Sequence, residues 1–509
     1  MNKKGTILLI TSFTVFVLTI LGFGLLIFSQ IHLKISSYYK FSLANNYAAE
    51  CGVKEGFEEF FKIIHSSDFF IELKDEDIFL FQEEIRKGNV KILEKLFNFS
   101  LPLKGQNSWR DFKWKWTLSF SLKRSNDYNK FSKLLYDFNL KSSGWSGKKG
   151  SSFSTLKGEI EIFAGNIPLF LFPVLLEKKV SLEILDNLEI IIPDKKFNFR
   201  KICLPEKELI PSEASEQIFK ALNIKYFYPY KLSYLELRRA IGLELIDEPI
   251  PPGIYLIKDD MGLGGIYVEG DLEEMVLAIE GNFQVIGFFT KEQIWILKFS
   301  PEMSETIFKT PNETQIFNLI PKGIVIVNGK IKSLTGGIIN SKGIPTPCDE
   351  EIPSILKGVN LTIISSDEIE ISSHLIIQGV EWKDEIPYVK ENNESSLVLF
   401  STGKDFFNNK EKNGGIIINP NSQEELKIQA SLIAKGSGIE VNGENKKVQI
   451  FGSIQATNIN LRENKLKIIY DGRFKNKEIS EIDYPLTVSP LIFFSDLRLL
   501  YWKDFNENS

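Results

Sequence analysis

The chain has 509 residues, 25% of them charged and 43% hydrophobic, enough for two or three domains with real cores. Its formal net charge is −5, and Lys and Arg are interspersed with Asp and Glu, so there is no overall basic footprint for nucleic acid. The three cysteines, Cys51, Cys203 and Cys348, are too few and too scattered for a disulfide framework, and no C-x-x-C suggests a structural zinc or a redox site. Cys203 and Cys348 remain able to pair in an oxidising compartment.

Thr6 to Gln30 contains no charge and sixteen Leu, Ile, Val or Phe residues. As a helix it reaches roughly 37 Å, enough to cross a bilayer core. Each of those side chains favours insertion by about 0.3–0.6 kcal/mol. Thr11, Ser12, Thr14 and Thr19 oppose this but can bond carbonyls of their own helix. The run is longer than the apolar region of a cleaved signal peptide, and Phe28–His32 offers no A-x-A cleavage pattern. A permanent anchor is expected, with the short amino end inside and the bulk outside.

The helical pattern continues past the apolar run. Tyr39, Leu43, Tyr47, Phe57, Phe61 and Ile64 recur at helical spacing, with Glu50, Cys51 and Lys54 among them, and predict a stripe down one helix face. The stripe packs either on the chain's own domain or against other subunits. A lysine-containing leader ending in Gly5, a long apolar helix and then "NNYAAECGVKEGFEEF" resemble the start of type IV pilin-like proteins, most of all the PilX-type minor pilins, whose helix carries an "AAE-x-G" stretch. The resemblance covers about the first 60 residues. It implies prepilin-peptidase cleavage between Gly5 and Thr6. Ile10 stands where major pilins carry a glutamate, so the pattern is that of a minor subunit.

Further along, "DEDIFLFQEEIRKGNVKILEKLF" predicts one or two short helices broken at Gly88. "DFKWKWTLSFSLK" alternates strictly and predicts a strand with Phe112, Trp114, Trp116, Leu118, Phe120 and Leu122 on its buried face. Its lysines lie on the opposite face from its aromatics, which argues for core rather than a nucleic-acid platform. "SSGWSGKKGSS" at 142–152 reads as a flexible linker, and "SEASEQIFKALNI" as a capped helix.

From about Ile254, short β-branched runs bounded by Gly, Asn or Ser follow one another, among them "GIVIVNGKIKSL", "NLTIISSDEIEIS" and "KKVQIFGSIQA". They have no strict period. The pattern predicts a solenoid whose rungs cover one another's apolar faces, or a β-sandwich if the strands pair antiparallel. "IPPGIYLIKDDMGLGGIYVEGDLEEM", "LTIISSDEIEISSHLIIQGVEW" and the closing "LRLLYWKDF" resemble a domain of unknown function at the C-terminus of large bacterial pilin-like envelope proteins. That resemblance spans roughly 250–505 and implies a β-solenoid-like module.

Chemistry is sparse. "GLGG" at 262–265 leads into a strand and reads as a turn, not a dinucleotide fingerprint. His32, His65 and His374 form no cluster. Asp367, Glu368 and Glu370, and the run "CDEEIP" at 348–353, are carboxylates that either line solvated strand faces or serve calcium binding or polysaccharide cleavage. No catalytic, cofactor or metal residues are singled out.

The expected architecture is α+β, in four parts: a leader, transmembrane and juxtamembrane helix (1–65), a small α+β head (66–158), a mixed connecting region (159–253) and a β-rich, parallel β-helix-like part (254–509). The expected role is that of a non-enzymatic, single-pass inner-membrane protein. It is expected to display its head and solenoid outside the cytoplasm and to partner other pilin-like subunits, pilus-assembly proteins and glycans, with no nucleic acid. The alternative is a membrane-anchored polysaccharide-acting enzyme, for which a cleft with two converging carboxylates and a raised pKa is the discriminating feature.

Overall fold

The computed structural model describes residues 3–65, 71–72, 101–127, 131–146, 151–165, 172–178, 181–192, 210, 233–259, 262–383, 385–390, 393–473 and 491–506. The apolar run and the sequence after it form one helix, α1 (Lys3–His65). The Thr19 hydroxyl donates to Val15 O at 2.7 Å, as the threonines in an apolar helix are expected to do. The expected helices within 74–97 and 212–224 lie outside the described residues.

The second half of α1 packs on an antiparallel sheet of strands Leu103–Trp109, Phe112–Asp127, Phe131–Ser146 and Ser152–Gly165, completed by Leu491–Asn506 and Ile71–Glu72. Trp114, Trp116, Leu118 and Phe120 are buried between sheet and helix, so the strict alternation was a reliable signal of a one-sided strand. Residues 142–146 are not a linker: they end the strand Phe131–Ser146 and pair with Phe112–Trp116. Their small side chains have a packing reason. A Cβ on Gly144 would run into the backbone nitrogen of Ala49, and one on Gly52 into the Ser142 hydroxyl.

The rest of the described chain is strand-rich. Three sheets of four or more strands carry parallel ladders, beside a two-stranded parallel pair of Pro353–Ile355 and Ile376–Ile377. In the first, Gly262–Glu269, Ile324–Asn328, Asn360–Ser365, Ser396–Ser401, Ser431–Ala434, Ile454–Ala456 and Val174–Leu176 lie side by side. In the second the order is Glu274–Glu280, Ile331–Ile339, Glu368–Ile371, Gly415–Ile418, Ile439–Val441 and Ile459–Asn460. In the third it is Glu425–Ile428, Lys447–Gly452, Lys465–Tyr470 and Leu188–Ile191. The chain visits the sheets in turn, and residues in register stack. Ile266, Val325, Ile363, Leu399, Leu432, Ile454 and Val174 form one continuous apolar column, all within a single core cluster. The ladders are parallel, so the condition set for a sandwich is not met there.

The missing period has a plain cause: excursions leave the stack at different places. Phe283–Phe289, Ile294–Ser300, Glu305–Lys309 and Thr314–Phe317 extend the second sheet as an antiparallel meander. Val380–Lys383 and Ile386–Val389 form a separate hairpin.

Three segments sit where the sequence did not place them. Leu491–Asn506, expected in the C-terminal part, pairs along Ser152–Gly165 in the head sheet. Val174–Leu176 and Leu188–Ile191, expected in the connecting region, form the last strands of the first and third parallel sheets. Gly262–Gly265 is strand rather than turn, paired to Gly253–Asp259. Two further helices are short: α2 (Leu182–Asp186) and α3 (Tyr234–Ile241). Ser233 caps α3 by accepting from Glu236 N, and Gly242 ends it in the left-handed conformation, where glycine costs least.

Candidate functional site

Two regions carry chemistry beyond packing. The first is α1. Gly5, Thr6 and Ile10 lie in its first turns. From Phe13 to Phe41 its large apolar side chains are exposed. From Asn45 onward one face is covered: Asn45, Ala48, Ala49, Gly52, Val53, Gly56 and Phe60 are buried. Asn45 Oδ1 accepts from Ser146 N at 2.6 Å and from the Ser146 hydroxyl at 2.9 Å. Glu55 accepts from Trp114 Nε1 at 2.6 Å and Asn107 Nδ2 at 3.3 Å. Phe60 packs on Phe120 and Phe138, with centroids 5.5 and 5.3 Å away.

The face that meets the sheet is therefore the one rich in small residues, not the expected stripe. Tyr39, Leu43, Tyr47 and Phe61 are exposed, at 71%, 44%, 57% and 43%. Phe57 is half-buried against the head core, and the side chain of Ile64 lies outside the described residues. Cys51 carries a free, exposed thiol on this helix.

The second region is the outer face of the first parallel sheet near Glu269. Tyr267 donates to Glu269 Oε2. Asn328, directly opposite on the next strand, donates its Nδ2 to both Glu269 oxygens at 3.2 and 3.3 Å. A loop at 402–414 leaves the stack here. Asp405 Oδ1 accepts from Phe407 N and Asn408 N at 3.1 and 3.2 Å. Lys412 Nζ lies 3.7 Å from Asp405 Oδ2 and donates to the Ser366 hydroxyl at 2.8 Å. Phe407 stacks on Tyr234 of α3 at 4.2 Å and meets the edge of Tyr267 at 6.5 Å.

Burial raises the Glu269 pKa, and the negative charge of Asp405 adds to this, against the Tyr267 and Asn328 hydrogen bonds and Lys412. Burial also pushes the Tyr267 hydroxyl well up. Arg238, on α3, is buried, and its Nε and Nη1 have no hydrogen-bond partner among the described residues. A carboxyl whose pKa is raised keeps its proton to higher pH and can donate it, and a second carboxylate near it is the arrangement acid–base chemistry uses.

Four of the carboxylates singled out in the sequence have structural partners. Lys330 Nζ sits between Glu368 and Glu370, at 2.8 and 2.6 Å. Burial opposes its charge, and the two carboxylates outweigh that and raise its pKa. Asp367 Oδ1 accepts from Glu368 N at 2.9 Å, and Glu351 pairs with Lys427 at 2.6 Å. His374 is buried and accepts at Nδ1 from Lys427 N at 3.0 Å. Cys348 carries a free thiol, and Cys203 lies outside the described residues. No group of three or more metal-ligating side chains occurs among the described residues.

The Glu269 cluster was not found from sequence. Its only trace was the Tyr-x-Glu at the end of "GGIYVEGD", since Asn328 and Asp405 lie far along the chain. No protein-family model, curated protein or solved structure matches this chain.

Proposed function

We propose that the protein is a non-enzymatic, membrane-anchored, pilin-like envelope component, held by α1 in the inner membrane with its bulk outside the cytoplasm. The observation that carries this reading is the division of α1. Its first half is apolar, long enough to span a bilayer and covered by none of the described residues, a property shared with signal sequences. Its second half is tied into an antiparallel sheet through Asn45, Gly52, Glu55 and Phe60. A helix anchored this firmly in the folded head is a poor candidate for removal, and its uncovered Tyr39–Leu43–Tyr47 stripe is free to meet other pilin-like subunits or assembly proteins. The three parallel sheets read as the rungs of a β-solenoid that holds a display surface away from the anchor. Deleting residues 1–33 is expected to move the protein from membranes to the soluble fraction. Continued membrane association of a monodisperse truncated protein defeats the anchor reading.

A second reading, a polysaccharide-acting enzyme, is favoured by one observation: the raised Glu269 carboxyl beside Asp405. The open donors of buried Arg238 suit the carboxylate of an acidic sugar. Release of reducing ends from a polyuronate, abolished in both Glu269→Gln and Asp405→Asn, establishes this reading over the first. Equal turnover by both variants removes it.

A further inference from the structure

The face of the head sheet turned away from α1 has a composition that the alternation of a single strand did not reveal. Lys113 and Lys115 point outward from Phe112–Asp127, and the neighbouring strands bring aromatics to that same face. Lys113 lies in register with Trp145, Lys141 with Thr155, Ser143 with Phe153, and Lys157 with Tyr501. Lys104 extends the patch, in register with Thr117. Lys115 Nζ sits 5.8 Å from the Trp145 ring centroid, and Lys157 Nζ 5.3 Å from that of Tyr501.

Lys104, Lys113, Lys115 and Lys141 are exposed, and Phe153 and Tyr501 remain 38% and 46% accessible. None of these lysines, nor Lys157, forms an ion pair among the described residues. Farther along the same face the charges are paired instead: Lys123 with Glu159 and Asp137, and Lys133 with Glu161. In a chain of net charge −5, five unneutralised lysines interleaved with aromatic rings are a local reversal of sign that attracts anions.

Orientation narrows the partner. Asn45 meets Ser146, Gly52 meets Ser142, Gly56 meets Leu140 and Phe60 meets Phe138. Four helix residues advance for each two or so strand residues, so the sheet runs alongside α1 and its far face looks sideways from the helix axis. With α1 across a bilayer, the chain's own membrane does not cover that face. Ammonium groups recognise repeated carboxylates, and aromatic rings stack on the apolar faces of sugar rings.

We infer that the Lys113–Lys115–Lys141–Lys157 face, with Trp145, Phe153 and Tyr501, is a binding surface for an acidic polysaccharide. The inference rests on the proposed placement of the head outside the cytoplasm and names the glycan class that the display reading leaves open.

The test is affinity electrophoresis of the full-length protein in neutral detergent, in gels containing polygalacturonate, neutral dextran or oligo(dT), with flotation on anionic vesicles in parallel. Polygalacturonate is expected to retard the protein, progressively less as salt rises. The K113E/K115E/K141E variant is expected to bind at least tenfold more weakly, and W145A several-fold more weakly, both with unchanged circular dichroism. K291E/K342E/K357E, with the same charge change placed elsewhere, is expected to bind as the parent does. The inference is overturned if polygalacturonate gives no retardation or dextran gives as much. It is also overturned if oligo(dT) or anionic vesicles bind more tightly through this face, if K113E/K115E/K141E binds normally, or if W145A does. Anchoring is read separately, by membrane fractionation, so failure here leaves that reading standing.

Discussion

At the scale of single residues, burial decides which carboxylates are interesting. Glu368 and Glu370 look paired in the sequence, yet Lys330, just ahead of the neighbouring strand Ile331–Ile339, pairs with both. That partner lies nearly forty positions away and becomes a neighbour only when the strands stack. Glu269 has no lysine in direct contact among the described residues and instead accepts from Tyr267 and Asn328. Its folded pKa is raised above the ordinary value of 4.5, with burial the largest cause. The stability that the neutral carboxyl contributes is therefore fully present below about pH 4.5 and is lost as pH rises through the folded value. Glu269→Gln removes that loss. The variant is expected to match or exceed the parent in thermal stability at pH 8, with the difference shrinking or reversing below pH 4.5. Parallel stability curves across that range would show that Glu269 is not perturbed. His374 acts with the opposite sign. Burial lowers its pKa, so its contribution is present above the ordinary value of about 6.5 and fades as pH falls through the folded value. Part of any acid sensitivity then belongs to His374 and survives in Glu269→Gln.

At the scale of elements, legibility followed locality. The strand Phe112–Asp127 was readable because its alternation is a property of adjacent residues. The apolar helix was readable for the same reason. The end of the next strand was not, because Ser142, Ser143 and Gly144 have the composition of a linker. Their smallness answers a demand from α1, about ninety positions earlier, which comes close enough that a side chain at Gly144 would strike Ala48 and Ala49. Which face of α1 meets the sheet was not readable: small residues pack closest, Phe57 is half-buried, and Tyr39, Leu43, Tyr47 and Phe61 are exposed. Gly144→Val is expected to force helix and sheet apart and cost at least about 1–3 kcal/mol. A fall in the unfolding temperature, followed by the fluorescence of interface residues Trp114 and Trp116, is the readout. An unchanged midpoint would mean that α1 does not dock on the head as described.

At the scale of the whole molecule, the chain order hides the architecture. The last strand, Leu491–Asn506, returns to the head sheet, and Val174–Leu176 and Leu188–Ile191 complete the far ends of two parallel sheets. Such pairings span hundreds of residues and leave no periodic trace, which is why the division by sequence followed style of pattern rather than partnership. The strand-rich character after residue 254 was readable, because β-branched runs between Gly and Asn are local signals. Parallel pairing was the expected arrangement and the ladders have it, but which residues come into register was not readable, because register is set by stacking. One consequence is mechanical: α1 is coupled to a sheet that Leu491–Asn506 completes. The central claim is that α1 stays in the mature protein as its anchor. N-terminal sequencing of the membrane-bound protein from its native host tests this most directly. The account predicts a mature chain beginning at Thr6, cut after Gly5, that keeps the whole apolar run. A mature chain beginning near Ser36 would contradict it.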